Sequence, residues 1–165
     1  MFVKELTKKY DGKAVVDGVS FDIPKRSVIS MIGPNGAGKS TVLNILSRLI
    51  ARDSGLVDFE GQDISHWKSK ELAKRLAILT QSNNIQMKLT VQELVTFGRF
   101  PYSGGRTTPE DQRIIDQAIA YMELEEFQDR FIDELSGGQR QRALIATSIR
   151  CGCIVTRNHT GLGGV

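Results

Sequence analysis

The amino-acid sequence predicts an α/β fold in which a short buried strand leads directly into a glycine-rich loop and a helix. Three patterns support this prediction: a pair of strands at the start, the order strand–loop–helix after it, and a second half dominated by helical spacing. The chain has 165 residues, of which 40% are hydrophobic and 25% charged. These values fit one globular domain and exclude a disordered chain, a coiled coil and a collagen-like fibre.

The first third of the chain contains the predicted strands. Residues 2–10 and 14–23 flank Asp11-Gly12, a dipeptide favoured in two-residue hairpin turns. Residues 27–32 are mostly apolar, as expected for a strand buried inside a sheet, and apolar residues at helical spacing follow from Val42 to Leu49. Further short strands are predicted at 56–59 and 76–79.

Helices are predicted after residue 81. Thr90 and Glu93 have the spacing of a capping box, which opens a helix that Gly98 and Pro101 should end. A loop is predicted over 102–105.

A second helix begins at Thr108, with proline and acidic residues in its first turn. Its apolar face consists of Ile114, Ile115, Ala118, Ile119 and Met122. Together the two helices predict a helical insertion over 83–134.

A glycine-rich segment after the apolar strand matches the phosphate-binding pattern G-x-x-x-x-G-K-[ST]: Gly33, Pro34, Asn35, Gly36, Ala37, Gly38, Lys39, Ser40 and Thr41. The glycines let successive N–H groups converge on phosphate oxygens, and the following helix adds its positive N-terminus. Lys39 is expected to reach the β- and γ-phosphates, and the Ser40 hydroxyl to bind Mg²⁺. The segment predicts nucleoside triphosphate binding and leaves the class of protein open.

A second glycine-containing segment follows the helical insertion: Leu135, Ser136, Gly137, Gly138, Gln139, Arg140, Gln141 and Arg142. Ser136 can cap a helix whose apolar part runs over 143–149. Taken alone, these residues fit an ordinary capped helix after a glycine turn. Together with the phosphate loop, they resemble the signature motif of ATP-binding cassette proteins, and the resemblance covers residues 1–149.

The resemblance implies an ATP-binding cassette fold: a P-loop core with an N-terminal antiparallel part and an inserted helical subdomain, incomplete at the C-terminus. It also implies ATP and Mg²⁺ as ligands, with Tyr10 stacking on adenine and Gln81 contacting Mg²⁺ and the attacking water. Each residue has a simpler alternative, since Tyr10 could pack at a strand end and Gln81 could be a solvated loop amide.

Proteins of this family work as pairs, so the resemblance implies a homodimer or a second ATP-binding subunit. Ser136, Gly137, Gly138 and Gln139 would bind the ATP held by Lys39 of the other protomer. The helical subdomain would dock on transmembrane permease subunits, which link the complex indirectly to a substrate-binding protein. Residues 89–93 and 98–102, with the stretch from Tyr121 to Ser136, are similar to the iron–siderophore and haem importer group.

The implied location is cytoplasmic, on the inner face of the cell membrane. No apolar run approaches the roughly 20 residues that span a bilayer, and residues 1–5 do not read as a signal peptide. Two cysteines, Cys151 and Cys153, exclude a disulfide scaffold. The net charge of +3 has its signs interspersed, so no nucleic-acid partner is expected.

The end of the chain departs from the family. A Walker B strand ending in aspartate and glutamate should follow the signature helix, yet no Asp or Glu follows Glu134, and the expected strand end reads Thr156-Arg157-Asn158. We therefore expect the loss of a central strand, reduced stability, weak Mg-ATP binding and hydrolysis near background. The lone His159 is not assigned a catalytic role.

Residues 150–165 bear no likeness to the family. The leading interpretation is an out-of-frame or truncated ending, and the region is predicted to be unrelated or disordered. A genuine divergent terminus and a Cys-x-Cys metal site are the alternatives, although two thiols lack the further ligands that zinc requires.

Three functions compete. The first is the ATPase subunit of an importer, the second a soluble cassette protein without a membrane partner, and the third a non-hydrolysing nucleotide-binding module. The helical insertion favours the first and the missing acids favour the third. A small GTPase is disfavoured because the signature motif has no role there.

Overall fold

The computed structural model describes residues 1–79 and 88–148 and the backbone of 153–156. The chain divides into two units, Met1–Ser69 and Lys70–Val165, and each is described by itself. Gln81, the first five residues of the predicted helical insertion and most of the region 150–165 lie outside the described residues.

The first unit contains a four-stranded antiparallel sheet in the order β2-β1-β3-β4. Its strands are β1 Phe2–Tyr10, β2 Lys13–Asp22, β3 Ser54–Phe59 and β4 Gln62–Asp63. The helix α1, Lys39–Leu46, lies between β2 and β3 in the chain, and a 3-10 turn, Ile64–His66, follows β4. The strands predicted at 2–10, 14–23 and 56–59 are therefore confirmed within two residues at each end.

The turn between β1 and β2 shows why the hairpin was predictable. Asp11 and Gly12 both have positive φ, at 50° and 78°, and Tyr10 pairs with Lys13 across the turn. Two consecutive residues with positive φ are the mark of the type I′ turn, whose twist matches the strands it joins. Aspartate and glycine tolerate that conformation, so the local sequence was enough to place the turn.

The buried side chains of the first unit come from the sheet and from α1. The sheet contributes three fully buried side chains, Val3 and Leu6 on β1 and Val57 on β3. The helix α1 contributes the buried side chains of Ile45 and Leu46. Burial of aliphatic side chains stabilises such a layer by about 1.5–3 kcal/mol per residue. This packing holds the start of α1 at one position relative to β2.

The second unit is mostly helical. Its elements are α2 Ser69–Ala73, β5 Leu76–Leu79, α3 Val91–Phe97, α4 Phe100–Ser103, α5 Pro109–Tyr121, the 3-10 turns Glu125–Phe127 and Ile132–Glu134, α6 Gly137–Ala146 and β6 Cys153–Thr156. A cluster of buried apolar side chains joins α3, α5 and α6, with Val91, Ile115, Leu124 and Ala143 completely buried.

The predicted helix starts are confirmed. Thr90 accepts a hydrogen bond from the backbone N–H of Glu93, and the Glu93 carboxylate accepts one from the backbone N–H of Thr90. Pro101 does not end a helix, however: it lies in the first turn of α4, where the N–H that proline lacks has no helical partner. The predicted loop over 102–105 therefore begins only after Ser103.

The strand predicted at 27–32 does not form. Val28 and Ile32 are 96% and 95% exposed, and none of the described strands pairs with this segment. An apolar run becomes a strand only where a neighbour supplies N–H and C=O partners, and the run itself cannot specify that neighbour.

The expected loss of the strand after the signature helix is wrong in one respect. The backbone of Cys153–Thr156 forms β6, which pairs in parallel with β5 from Leu76↔Cys153 to Leu79↔Thr156. Backbone pairing depends on N–H and C=O groups that every non-proline residue carries, so unusual side chains do not prevent it. The relation of residues 150–165 to the family stays a prediction.

Candidate functional site

The glycine-rich loop is shaped by two residues in left-handed conformations. Gly36 has φ 82° and Gly38 has φ 79°, and Gly38 is the N-cap of α1. A Cβ atom on Gly38 would lie 2.5 Å from the carbonyl oxygen of Val15 and 3.3 Å from Val16 Cγ2. Only glycine fits at this position, because both the backbone conformation and the contact with β2 exclude a side chain.

Lys39 begins α1 and is bonded across the loop. Its Nζ donates to the carbonyl oxygens of Gly33 at 2.6 Å and Pro34 at 2.7 Å. Its described partners are thus two carbonyls and not a carboxylate, so its positive charge remains available to an anion at the loop.

The start of α1 adds to this charge. The first turn of α1 contains no acidic residue, so the partial positive charge of its N-terminus is not neutralised there. Gly33, Pro34, Asn35, Gly36 and Ala37 are all exposed, and Ser40 and Thr41 are half-buried in the first turn of the helix. An exposed loop before an uncompensated helix N-terminus and a lysine is suited to binding phosphate groups.

The residues present also fit Mg²⁺. This ion prefers oxygen ligands and is commonly held by one or two protein groups together with substrate phosphates. The Ser40 hydroxyl at the start of α1 provides one such oxygen. The described ranges contain no group of three His, Cys, Asp or Glu side chains that could hold a metal ion.

Tyr10 lies at the hairpin end of β1. Its side chain is 46% exposed, and the Lys8 ammonium lies 5.5 Å from the ring centroid. Lys8 also pairs with Asp53 at 2.7 Å. Tyr10 pairs with Lys13 on β2, and the backbone of Val15 on the same strand lies close to Gly38, so the hairpin that carries this ring also contacts the phosphate loop.

The signature segment forms the start of α6. The Ser136 hydroxyl accepts a hydrogen bond from the backbone N–H of Gln139 at 3.3 Å, and the Gln139 side-chain oxygen accepts one from the N–H of Ser136 at 2.9 Å. Gly137 and Gly138 are exposed, with open space where a side chain would be. The first turn holds no acidic residue, so this helix start can also accept an anion.

Gln139 has a structural role at the start of α6, and its part in nucleotide binding stays a prediction. Its carboxamide oxygen completes the capping box, and Ser136, Gly137 and Gly138 are exposed at the start of the helix. Arg140 secures the same turn, since its Nε donates to the carbonyl oxygen of Ile132 at 3.2 Å. Gln81, the other predicted Mg²⁺ contact, lies outside the described residues.

A groove on the second unit was not identified from the sequence. It has a volume of about 420 Å³ and is lined by Leu89, Gln92, Glu93, Thr96 and Phe97 along the outer face of α3. At its end the Phe97 and Phe100 rings stack at 6.1 Å and are 61% and 56% exposed. The sequence signal was an aromatic residue on each side of Gly98-Arg99.

The part of the chain with assigned structure contains no helix of the length and hydropathy needed to cross a membrane.

The sequence of the chain is similar to those of known proteins. The family model of the ABC transporter matches residues 16–155. The petrobactin import ATP-binding protein YclP of Bacillus subtilis (strain 168) is 54% identical over 89% of this chain and 58% of its own length. The iron(3+)-hydroxamate import ATP-binding protein FhuC of the same organism is 41% identical over 87% of this chain and 54% of its own length. The ferric enterobactin transport ATP-binding protein FepC of Escherichia coli (strain K12) is 40% identical, with shares of 87% and 54%.

A solved structure agrees with the fold. CbiO1 from Clostridium perfringens, part of the ABC transporter complex cbiONQ, superposes with a TM-score of 0.76 at 28% identity, covering 88% of this chain and 59% of cbiO1. The chain spans less than two thirds of the length of each of these relatives. The α/β P-loop fold class inferred from the sequence is thereby confirmed, and the chain belongs to the ABC transporter family.

Proposed function

We propose that this chain is the ATP-binding subunit of an ABC importer that takes up iron–siderophore complexes. The observation that carries ATP binding is the backbone approach at Gly38, which orients the loop and the uncompensated start of α1 toward one exposed face. The cargo is supported by the relatives, whose names refer to petrobactin, iron(3+)-hydroxamate and ferric enterobactin.

In this proposal the phosphate loop binds ATP through its backbone and two side chains. The backbone N–H groups around Gly36 and Gly38 contact phosphate oxygens, and Lys39 exchanges its two carbonyl partners for the β- and γ-phosphates. Ser40 holds Mg²⁺, with Gln81 as a further contact, and the bound ion would neutralise phosphate charge. The exposed ring of Tyr10 stacks on the adenine.

A second protomer completes the proposed site. Ser136, Gly137 and Gly138 are exposed at the start of α6, where they can bind the γ-phosphate of ATP held by the other protomer's Lys39. Gln139 supports them by capping the helix. The pair is a homodimer or includes a second ATP-binding subunit.

The proposed membrane partner is a permease, and the groove on α3 is its docking surface. A half-exposed aromatic pair beside an open groove is the kind of surface that accepts a partner helix. This docking places the chain in the cytoplasm, peripheral on the inner face of the membrane, and links it only indirectly to a substrate-binding protein. No nucleic-acid partner is proposed.

We further propose that the 165-residue chain hydrolyses ATP only near background. The strand β6 ends at Thr156, and the residues that follow it, Arg157 and Asn158, supply no carboxylate to hold Mg²⁺ or polarise water. The same observation favours a second candidate function, a module that binds nucleotide without hydrolysing it.

The test of nucleotide binding compares three forms of the chain: wild type, Lys39→Ala and Lys4→Ala. Lys4 is an exposed lysine on β1 and serves as the matched control. Binding of a fluorescent ATP analogue with Mg²⁺ should weaken at least about tenfold in Lys39→Ala, because charge-assisted hydrogen bonds contribute about 1.5–3 kcal/mol. Lys4→Ala should bind like wild type, and equal binding by all three would refute ATP binding at this loop.

The test of turnover measures phosphate release by the same wild-type chain at saturating Mg-ATP. Binding with release at the rate of buffer alone supports the non-hydrolysing module. Release at a rate usual for the family would contradict the proposed deficiency while leaving the ATP-binding role intact. Co-purification with a membrane permease then separates an importer subunit from a soluble cassette protein.

A further inference from the structure

The end of α3 lies against the backbone at the end of α6. A Cβ atom on Gly98 would lie 2.3 Å from the carbonyl oxygen of Thr147 and 3.0 Å from its carbonyl carbon and Cα. Gly98 has φ −60° and ψ −20°, a conformation that any residue adopts. The close approach to Thr147, and not the backbone conformation, therefore requires glycine at this position.

Thr147 is itself firmly placed. It is the C-cap of α6, and its N–H donates a hydrogen bond to the carbonyl oxygen of Ala143 at 3.3 Å. Its hydroxyl donates a second one to the carbonyl oxygen of Leu144 at 2.7 Å. Ala143 and Leu144 are both buried in the core of the second unit. A shift imposed on Thr147 is therefore passed to α6 as a whole.

The segment that follows Gly98 is also held in place by side-chain contacts. The next residue, Arg99, forms an ion pair with Asp111 of α5 at 2.9 Å, and its guanidinium lies 3.9 Å from the Tyr102 ring centroid. The Tyr102 hydroxyl donates to the carbonyl oxygen of Lys74. Because these bonds tie the junction of α3 and α4 to its surroundings, added bulk at Gly98 should displace α6 and not α3.

The displacement would reach the signature segment. Ordinary contact begins near 3.4 Å, so a methyl group at Gly98 requires Thr147 to move by about 1 Å. The helix α6 has 10 residues, about 15 Å of rigid rise, and Ser136, Gly137 and Gly138 lie at its far end. A misplacement of about 1 Å in a binding arrangement can weaken function by up to ~10²-fold.

We propose that Gly98 is a positioning residue for the signature segment, setting where α6 presents Ser136, Gly137 and Gly138 to the nucleotide of a second protomer. This inference rests on the proposed function, in which ATP joins two protomers. It predicts that a change at Gly98 weakens ATP-dependent self-association and leaves nucleotide binding unchanged. The reason is that Gly98 belongs to the second unit and the phosphate loop to the first.

The test measures both properties in wild type, Gly98→Ala and Leu124→Ala. Leu124 is completely buried in the same core, so its truncation controls for lost stability without adding bulk beside Thr147. Binding of a fluorescent ATP analogue should stay within about twofold of wild type in all three. ATP-dependent self-association, measured by sedimentation velocity below the unfolding temperature of each variant, should weaken at least about tenfold in Gly98→Ala only.

The outcomes separate the inference from the proposed function. Wild type that does not self-associate with ATP overturns the inference and the homodimeric form of the proposed pair, whereas loss of nucleotide binding in wild type would overturn the proposed function. Wild type that does self-associate, with Gly98→Ala associating equally or Leu124→Ala losing as much, overturns the inference alone. If Gly98→Ala does not fold, Tyr102→Phe replaces it, because loss of the hydroxyl bonded to Lys74 loosens the same junction without adding an atom. That variant should self-associate more weakly with unchanged nucleotide binding, and unaltered self-association would overturn the inference.

Discussion

Arg99 and Asp111 form an ion pair of 2.9 Å whose side chains are only 11% and 7% exposed. The carboxylate also accepts hydrogen bonds from the Thr108 hydroxyl at 2.7 Å and the Thr108 N–H at 3.1 Å. These bonds from Thr108, followed by the Arg99 guanidinium, lower the pKa of Asp111 below its usual 3.8. One carboxylate thus caps α5 and anchors the junction of α3 and α4.

Replacing Asp111 with asparagine should destabilise the chain at neutral pH, because Arg99 would keep its buried charge without a counter-ion. Since the pKa of Asp111 is lowered on folding, its contribution is complete above the unfolded value of 3.8 and is lost as pH falls through the folded value. The gap in unfolding temperature between wild type and Asp111→Asn should therefore be constant near pH 7 and shrink below pH 3.8.

Asp116→Asn is the control for this measurement. Asp116 is exposed on α5 and accepts a hydrogen bond from Gln112, so its replacement should change little at any pH. Asp53 and Asp63 also have lowered pKa values, but both are present in every variant. Their effect on the unfolding temperature is therefore the same in each variant and does not change the difference between them. A gap that persists unchanged into strong acid would contradict the assigned role of Asp111.

The two left-handed glycines of the phosphate loop should differ in their tolerance of alanine. Gly36→Ala meets only the backbone cost of about 1–2 kcal/mol, because nothing lies within 4 Å of its Cβ position. Gly38→Ala meets the same cost and also a 2.5 Å contact with Val15. We expect Gly38→Ala to abolish binding of a fluorescent ATP analogue and Gly36→Ala to retain part of it. Equal loss in both would show that the contact with β2 is unimportant.

The capping box of α3 should contribute measurably to stability. Thr90→Ala removes the side-chain oxygen that accepts from the N–H of Glu93, and loss of such a cap costs about 1 kcal/mol. Thr90→Ser keeps the oxygen and is the matched control. Urea unfolding should give a lower free energy of unfolding for the alanine variant only, and an equal loss in the serine variant would assign the effect to the lost methyl group.

The exposed segment at 27–32 can be tested with two valines. Val28 is 96% exposed and Val57 is completely buried. Val28→Thr should therefore change the free energy of unfolding by less than about 0.5 kcal/mol, whereas Val57→Thr should cost about 1–3 kcal/mol for burying a hydroxyl group. A comparable cost at both positions would mean that residue 28 is buried in a strand, as the sequence pattern predicts.

Local bonding explains which elements could be predicted. In three capping boxes, Thr90 with Glu93, Thr108 with Asp111 and Ser136 with Gln139, the two partners are three residues apart. The turn at Asp11-Gly12 is equally local. Strand pairing is not local, since β5 and β6 are separated by more than 70 residues and the segment 27–32 has no described strand beside it.

The sequence by itself determined the phosphate loop, the signature segment and the helix starts, because each depends on residue types and bonds within a few positions. The family that these motifs indicate is confirmed by the match over residues 16–155.

Only the tertiary structure decided why Gly98 must be glycine, how Arg99 is neutralised and where the groove on α3 lies. Gly98 and Thr147 meet through packing of α3 against α6, and Arg99 and Asp111 through packing of the α3–α4 junction against α5. A sequence pattern records which residues can form a contact, but the contact itself depends on the arrangement of distant elements.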